Sequence, residues 1–112
     1  MQIRTQQLRT VAGVAVSIVG DTLNAENAKE FLADVQPLIE QNPLLIIDMQ
    51  ALRFVDSSGL GALLACQRSM EKKQGQLKLV GVAEKVRALL ELVRLTRIFS
   101  IHETEEAALA SL

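Results

Sequence analysis

The chain has 112 residues, 12 basic and 13 acidic, with a formal net charge of −1 at pH 7; its only cysteine is Cys66 and its only aromatics are three phenylalanines. That length supports one hydrophobic core and predicts one domain over residues 1–112. The charge balance, with no basic run longer than Lys72-Lys73, argues against a nucleic-acid binder. A lone cysteine permits no intrachain disulfide, and the uninterrupted apolar runs are too short for membrane insertion, so a cytoplasmic chain is expected.

In chain order, Ile3 to Arg9 reads as a modest first strand. After a turn at Val11 to Gly13, the alternation from Val14 to Val19 gives a second strand in a hairpin with the first. Gly20 and Asp21 end it. Asn24 is the expected N-cap of a first helix, whose apolar stripe is Ala28, Phe31, Leu32, Val35, Leu38 and Ile39. Pro37 predicts a kink or an early stop. Leu44 to Ile47 is a continuous apolar run, as for a central strand covered on both faces, and Asp48 ends it.

A connection from Met49 to Val55 leads to Asp56-Ser57-Ser58-Gly59, where a second helix begins. Its residues Leu60, Leu63, Leu64 and Met70 point inward, Arg68, Lys72 and Lys73 face water, and Gly75 closes it in the left-handed conformation. Gln76 to Val80 is a strand, and Ala83 to Arg94 a helix with Val86, Leu89, Leu90 and Val93 inward. Ile98 to Ile101 is a short strand, and Thr104 caps a last helix that buries Leu109 and Leu112. The order is β-β-α-β-α-β-α-β-α: an α/β fold with a mixed, partly parallel sheet of about five strands and about four helices.

The chemical signal lies at the start of the second helix. Gly59 and Gly61 stand in its first turn, where each costs about 1 kcal/mol relative to alanine. The steric explanation is close packing, or room for a visitor. A hydroxyl at this place lies beside free backbone N–H groups and the positive helix end, which favour an anion. A phosphate on Ser57 would add about −1.5 to −2 charge without unfolding the chain. Asp56 or Ser57 also serves as an ordinary cap, and the two roles are compatible.

The run from Ile47 to Gly61 resembles the signature of STAS domains and is most similar to that of bacterial anti-sigma factor antagonists. Asp48, Leu52, Phe54 and Asp56 to Gly61 match its pattern, and the element order and length resemble the family's over nearly the whole chain. The resemblance implies a domain that binds an anti-sigma factor, itself a serine kinase, while unphosphorylated. It implies inactivation by phosphorylation at Ser57 and reversal by a serine phosphatase. It also implies partner contacts by Asp21, Asn24, Asp56, Ser57, Ser58 and Gly59. Two positions depart from the pattern: Asn24 stands where many antagonists carry Asp, and Arg94 where many carry Gly. STAS domains also occur as scaffold components of sensory complexes and as subunits of membrane lipid-transport complexes, which gives two alternatives.

Little supports an enzyme. A serine nucleophile needs a base within hydrogen-bond reach, and His102, expected at the surface after the last strand, is remote in sequence from Ser57. Cys66 reads as a small buried hydrophobe, Asp48 and Asp56 as loop hydrogen-bond acceptors. No spacing suggests a metal site, and no cofactor is expected.

Overall fold

The computed structural model describes residues 2–112. It contains β1 (Gln2–Gln7), β2 (Val14–Val19), β3 (Thr22–Leu23), α1 (Ala28–Gln41), β4 (Leu44–Asp48), β5 (Phe54–Val55), α2 (Ser57–Lys72), β6 (Gln76–Val80), α3 (Glu84–Leu92), β7 (Ser100–His102) and α4 (Glu105–Ala110). The α/β order and the mixed five-stranded sheet are as expected. The sheet order is β1-β2-β4-β6-β7, antiparallel at the β1–β2 hairpin and parallel elsewhere.

Strand alternation divides the core into two unequal parts. Val14, Val16 and Ile18 of β2, Leu45 and Ile47 of β4, and Leu77 and Leu79 of β6 join Phe31, Val35, Leu63, Cys66, Met70, Val86 and Leu90 of the first three helices in one cluster. The residues between them, Ala15, Leu44, Ile46 and Val80, meet Ala108 of the short α4. Since β4 is flanked by strands and packed on both faces, it reads as an unbroken apolar run.

Several local expectations are corrected. β1 ends at Gln7, short of Arg9. α1 runs through Pro37 to Gln41; Ala33, whose carbonyl loses its helical partner, and Pro37 itself both lie on the exposed face. Gln74, at φ 63°, takes the left-handed position after α2, with Gly75 N–H donating to Met70 O at 2.8 Å in a Schellman closure. Gly75 is needed for space instead: a Cβ there would lie 2.8 Å from Met70 Cε and 3.0 Å from Pro43 O.

Lys73 is exposed, as expected, and it also donates through Nζ to the carbonyls of Ile39, and of Glu40 and Asn42 at 3.1 Å each, placing a cation at the negative end of α1. Val93 and Leu112 are exposed, not inward. Ile98 is exposed too, because a 3-10 turn at Leu95–Arg97 precedes the last strand, which moves to Ser100–His102. Arg94 is left-handed at φ 62°; a glycine there would relieve strain of about 1–2 kcal/mol, so this departure from the signature carries a backbone cost.

Candidate functional site

The site is assembled by two strands of two residues each, which sequence reasoning missed. β3 and β5 pair in parallel, Thr22 with Phe54 and Leu23 with Val55, apart from the main sheet. Asp21 O accepts from Arg53 N–H at 2.7 Å and from Phe54 N–H at 2.9 Å, and Leu23 O accepts from Asp56 N–H at 3.2 Å. This clasp joins the segment after β2 to the segment before α2. Its sequence signal is faint, since two residues carry no periodicity.

Asp56 is the N-cap of α2. Its Oδ1 accepts from Gly59 N–H at 2.9 Å, and its Oδ2 accepts from Ala25 N–H at 3.2 Å, across the clasp. One carboxylate thus caps a helix and fixes the loop ahead of α1, the loop role expected of it. Asp48 has the same kind of role: its Oδ1 accepts from Gln50 N–H at 2.9 Å.

Asn24 is not the N-cap of α1. The helix starts at Ala28, with Asn27 at the cap position. Asn24 Oδ1 accepts from Glu26 N–H at 3.0 Å, and Asn27 Oδ1 accepts from Asn24 N–H at 2.9 Å, while Asn27 Nδ2 donates to Thr22 O at 2.8 Å. Both side chains brace the turn between β3 and α1, an Asx-turn use of asparagine. Asp21 is exposed and accepts from the Thr22 hydroxyl at 3.0 Å.

Ser57 and Ser58 occupy the first two positions of α2 and are exposed. Their hydroxyls and first-turn N–H groups have no protein partner among the described residues. The exposed ring of Phe54 lies just upstream, 57% accessible.

Gly59, expected to contact the partner, is buried. A Cβ there would run into Leu23 O and lie 2.8 Å from Val55 Cγ1, so its part is to let α2 settle against the clasp. Gly61 is exposed, with nothing within 4 Å of where a Cβ would be. The close-packing explanation therefore holds for Gly59 and fails for Gly61.

His102 closes β7 instead of following it. Its Nε2 is 2.8 Å from Ser100 Oγ and 3.5 Å from Ser111 Oγ, and Lys78 Nζ donates to Ser100 Oγ at 3.2 Å. Desolvation, then the Lys78 charge, lowers its pKa from 6.5. This cluster ties α4 to the sheet. Cys66 is fully buried, as expected, and burial pushes its thiol up to about 12, which leaves it a poor nucleophile. No group of His, Cys, Asp and Glu that could hold a metal ion occurs among the described residues, and no helix there is long and apolar enough to cross a membrane.

The family model described as STAS domain matches residues 2–108. The anti-sigma-B factor antagonist of Listeria monocytogenes is 29% identical over 85 residues, covering 76% of this chain and 73% of that protein. The anti-sigma-B factor antagonist of Bacillus subtilis is 26% identical over 106 residues, covering 95% and 96%. Among solved structures, the Bacillus cell fate determinant SpoIIAA in its phosphorylated form superposes with a TM-score of 0.72 at 21% identity, covering 98% of each chain.

Proposed function

The chain belongs to the STAS domain family, and from that premise we propose that it is an anti-sigma factor antagonist controlled by phosphorylation of Ser57. Unphosphorylated, it binds an anti-sigma factor that is also a serine kinase, and so releases a sigma factor in the cytoplasm. The kinase phosphorylates Ser57 at the expense of ATP, and a serine phosphatase restores the binding form. The chain itself contributes surface, not catalysis.

The observation that carries this reading is the exposed, unpartnered Ser57 hydroxyl at the N-terminus of a sixteen-residue helix. A kinase can reach it, and the free first-turn N–H groups and helix dipole accommodate the phosphate. Both carboxylate oxygens of Asp56 are engaged, by Gly59 N–H and by Ala25 N–H, so the loop is braced by bonds that do not involve the Ser57 hydroxyl and keeps its shape in both states. Added bulk and charge then act on the partner docked over Ser57, Ser58, Asp21 and the Asn24 turn, not on the core.

The test incubates the protein with its cognate anti-sigma kinase and ATP and maps the phosphate by peptide mass spectrometry. Phosphate at Ser57 is expected. A pulldown with the anti-sigma factor should retain Ser57→Ala and lose most of Ser57→Asp. Phosphate confined to Ser58 or a threonine would overturn the assignment. No phosphate at all, with Ser57→Asp binding as wild type, would point to a constitutive scaffold or a transport-complex subunit.

A further inference from the structure

We infer that the free edge of β1 pairs with β1 of a second copy, joining the two sheets in an antiparallel dimer. β1 lies at the end of the sheet, and five of its six side chains are exposed, with only Ile3 partly buried. It serves the core little, yet it is as long as β2 and runs beside it without a bulge, from Gln2 opposite Val19 to Gln7 opposite Val14.

The pairing phase is fixed by one bond beyond the strand: Leu8 N–H donates to Gly13 O at 3.1 Å. In an antiparallel ladder, hydrogen-bonded pairs alternate with non-bonded pairs. Gln2, Arg4, Gln6 and Leu8 therefore bond inward to β2, while the N–H and C=O groups of Ile3, Thr5 and Gln7 point outward. No other described segment reaches those groups.

Exposed edges are ordinarily blunted by lysine, proline, a bulge or brevity. The Gln-Ile-Arg-Thr-Gln-Gln strand has none of these and a single charge, Arg4. The opposite edge, β7, is three residues long and is followed at once by Glu103.

The occupant is a second copy because the strand is complementary to itself in one register. With a two-fold axis at Thr5, Thr5 faces its equivalent and Ile3 faces Gln7, so every outward backbone group is paired. Arg4 then faces Gln6, and the central Thr–Thr pair is a favourable cross-strand contact. Moving the axis to Arg4 sets arginine against arginine, which is destabilising. Moving it to Gln6 leaves Ile3 outside the paired strand.

Sedimentation of the full chain up to about 500 µM, a range that populates small interfaces, tests the inference. A concentration-dependent monomer–dimer equilibrium is expected. Thr5→Pro removes an outward N–H and leaves the β2 ladder intact, so it should be monomeric throughout, with unchanged circular dichroism. Thr5→Cys should cross-link to a dimer under mild oxidation, since facing Cα atoms lie about 5.5 Å apart. Gln7→Cys should cross-link several-fold less, its equivalent lying roughly 14 Å along the strands. Buried Cys66 does not compete. A wild type monomeric at every concentration, a Thr5→Pro variant that dimerises as wild type, or equal cross-linking through both cysteines would overturn it.

Discussion

Replacing Gly59 and Gly61 by alanine, one at a time, is a sharp test of how α2 is seated. At Gly61 a Cβ has nothing within 4 Å, so Gly61→Ala gains only the helix propensity, about 0.8–1.0 kcal/mol. For a chain of this length that raises the thermal midpoint by about 4 °C. At Gly59 the same propensity gain is opposed by a collision with Leu23 O, which also accepts the Asp56 N–H. A backbone carbonyl in a paired strand cannot rotate aside. The clash therefore belongs at the upper end of the overpacking range, about 3 kcal/mol. The net loss is about 2 kcal/mol, and the midpoint falls by about 8 °C. Urea denaturation followed by circular dichroism gives both free energies, and differential scanning calorimetry gives the midpoints. Two variants shifted in the same direction would refute the packing of α2 against the clasp.

Lys73→Met removes the ammonium that caps α1 and keeps its stem; the expected loss in urea melts is about 1–2 kcal/mol, as for charge-assisted bonds to carbonyls. The lowered His102 pKa means the folded chain holds fewer protons than the unfolded chain just below pH 6.5, so stability is lost as pH falls from 6.5 through the folded value. Thermal midpoints at pH 7.5 and 5.5 should differ less in His102→Gln than in wild type. Cys66, buried with its thiol pushed up to about 12, should resist Ellman's reagent in the native chain at pH 8 and react fully in 6 M guanidinium, about the strength that unfolds even very stable proteins.

The order of large elements was legible because each carried its own periodicity. The apolar stripe of α1 and the unbroken run of β4 needed no long-range information. The Asp56 cap was legible too, since an acidic residue before a helical pattern is a local signal. What escaped depends on contacts in three dimensions that no periodicity along the chain announces. Asn24 and Asn27 are both acceptable caps, and the Asn27 amide bond to Thr22 O decides between them. Gly75 looked like the left-handed residue, but Pro43 O and the Met70 side chain require its missing Cβ, which leaves Gln74 to take the turn. Lys73 is solvent-exposed as its position suggests, but its bonds to the last carbonyls of α1 follow only from the packing of α1 beside α2. Gly59 and Gly61 are identical letters with opposite surroundings, which no pattern along the chain can distinguish.

The clasp of β3 and β5 has a kinetic consequence. It is a two-residue pairing outside the main sheet, so parting it breaks few backbone hydrogen bonds and leaves the central strands paired, at the cost of uncovering the buried side chains of Leu23 and Val55. Such an opening costs a fraction of global unfolding. Deuterium should therefore enter at the Phe54 and Asp56 amides sooner than at the interior of β4 or β6. The segment that presents Ser57 can then breathe as a unit, hinged on a resistant frame.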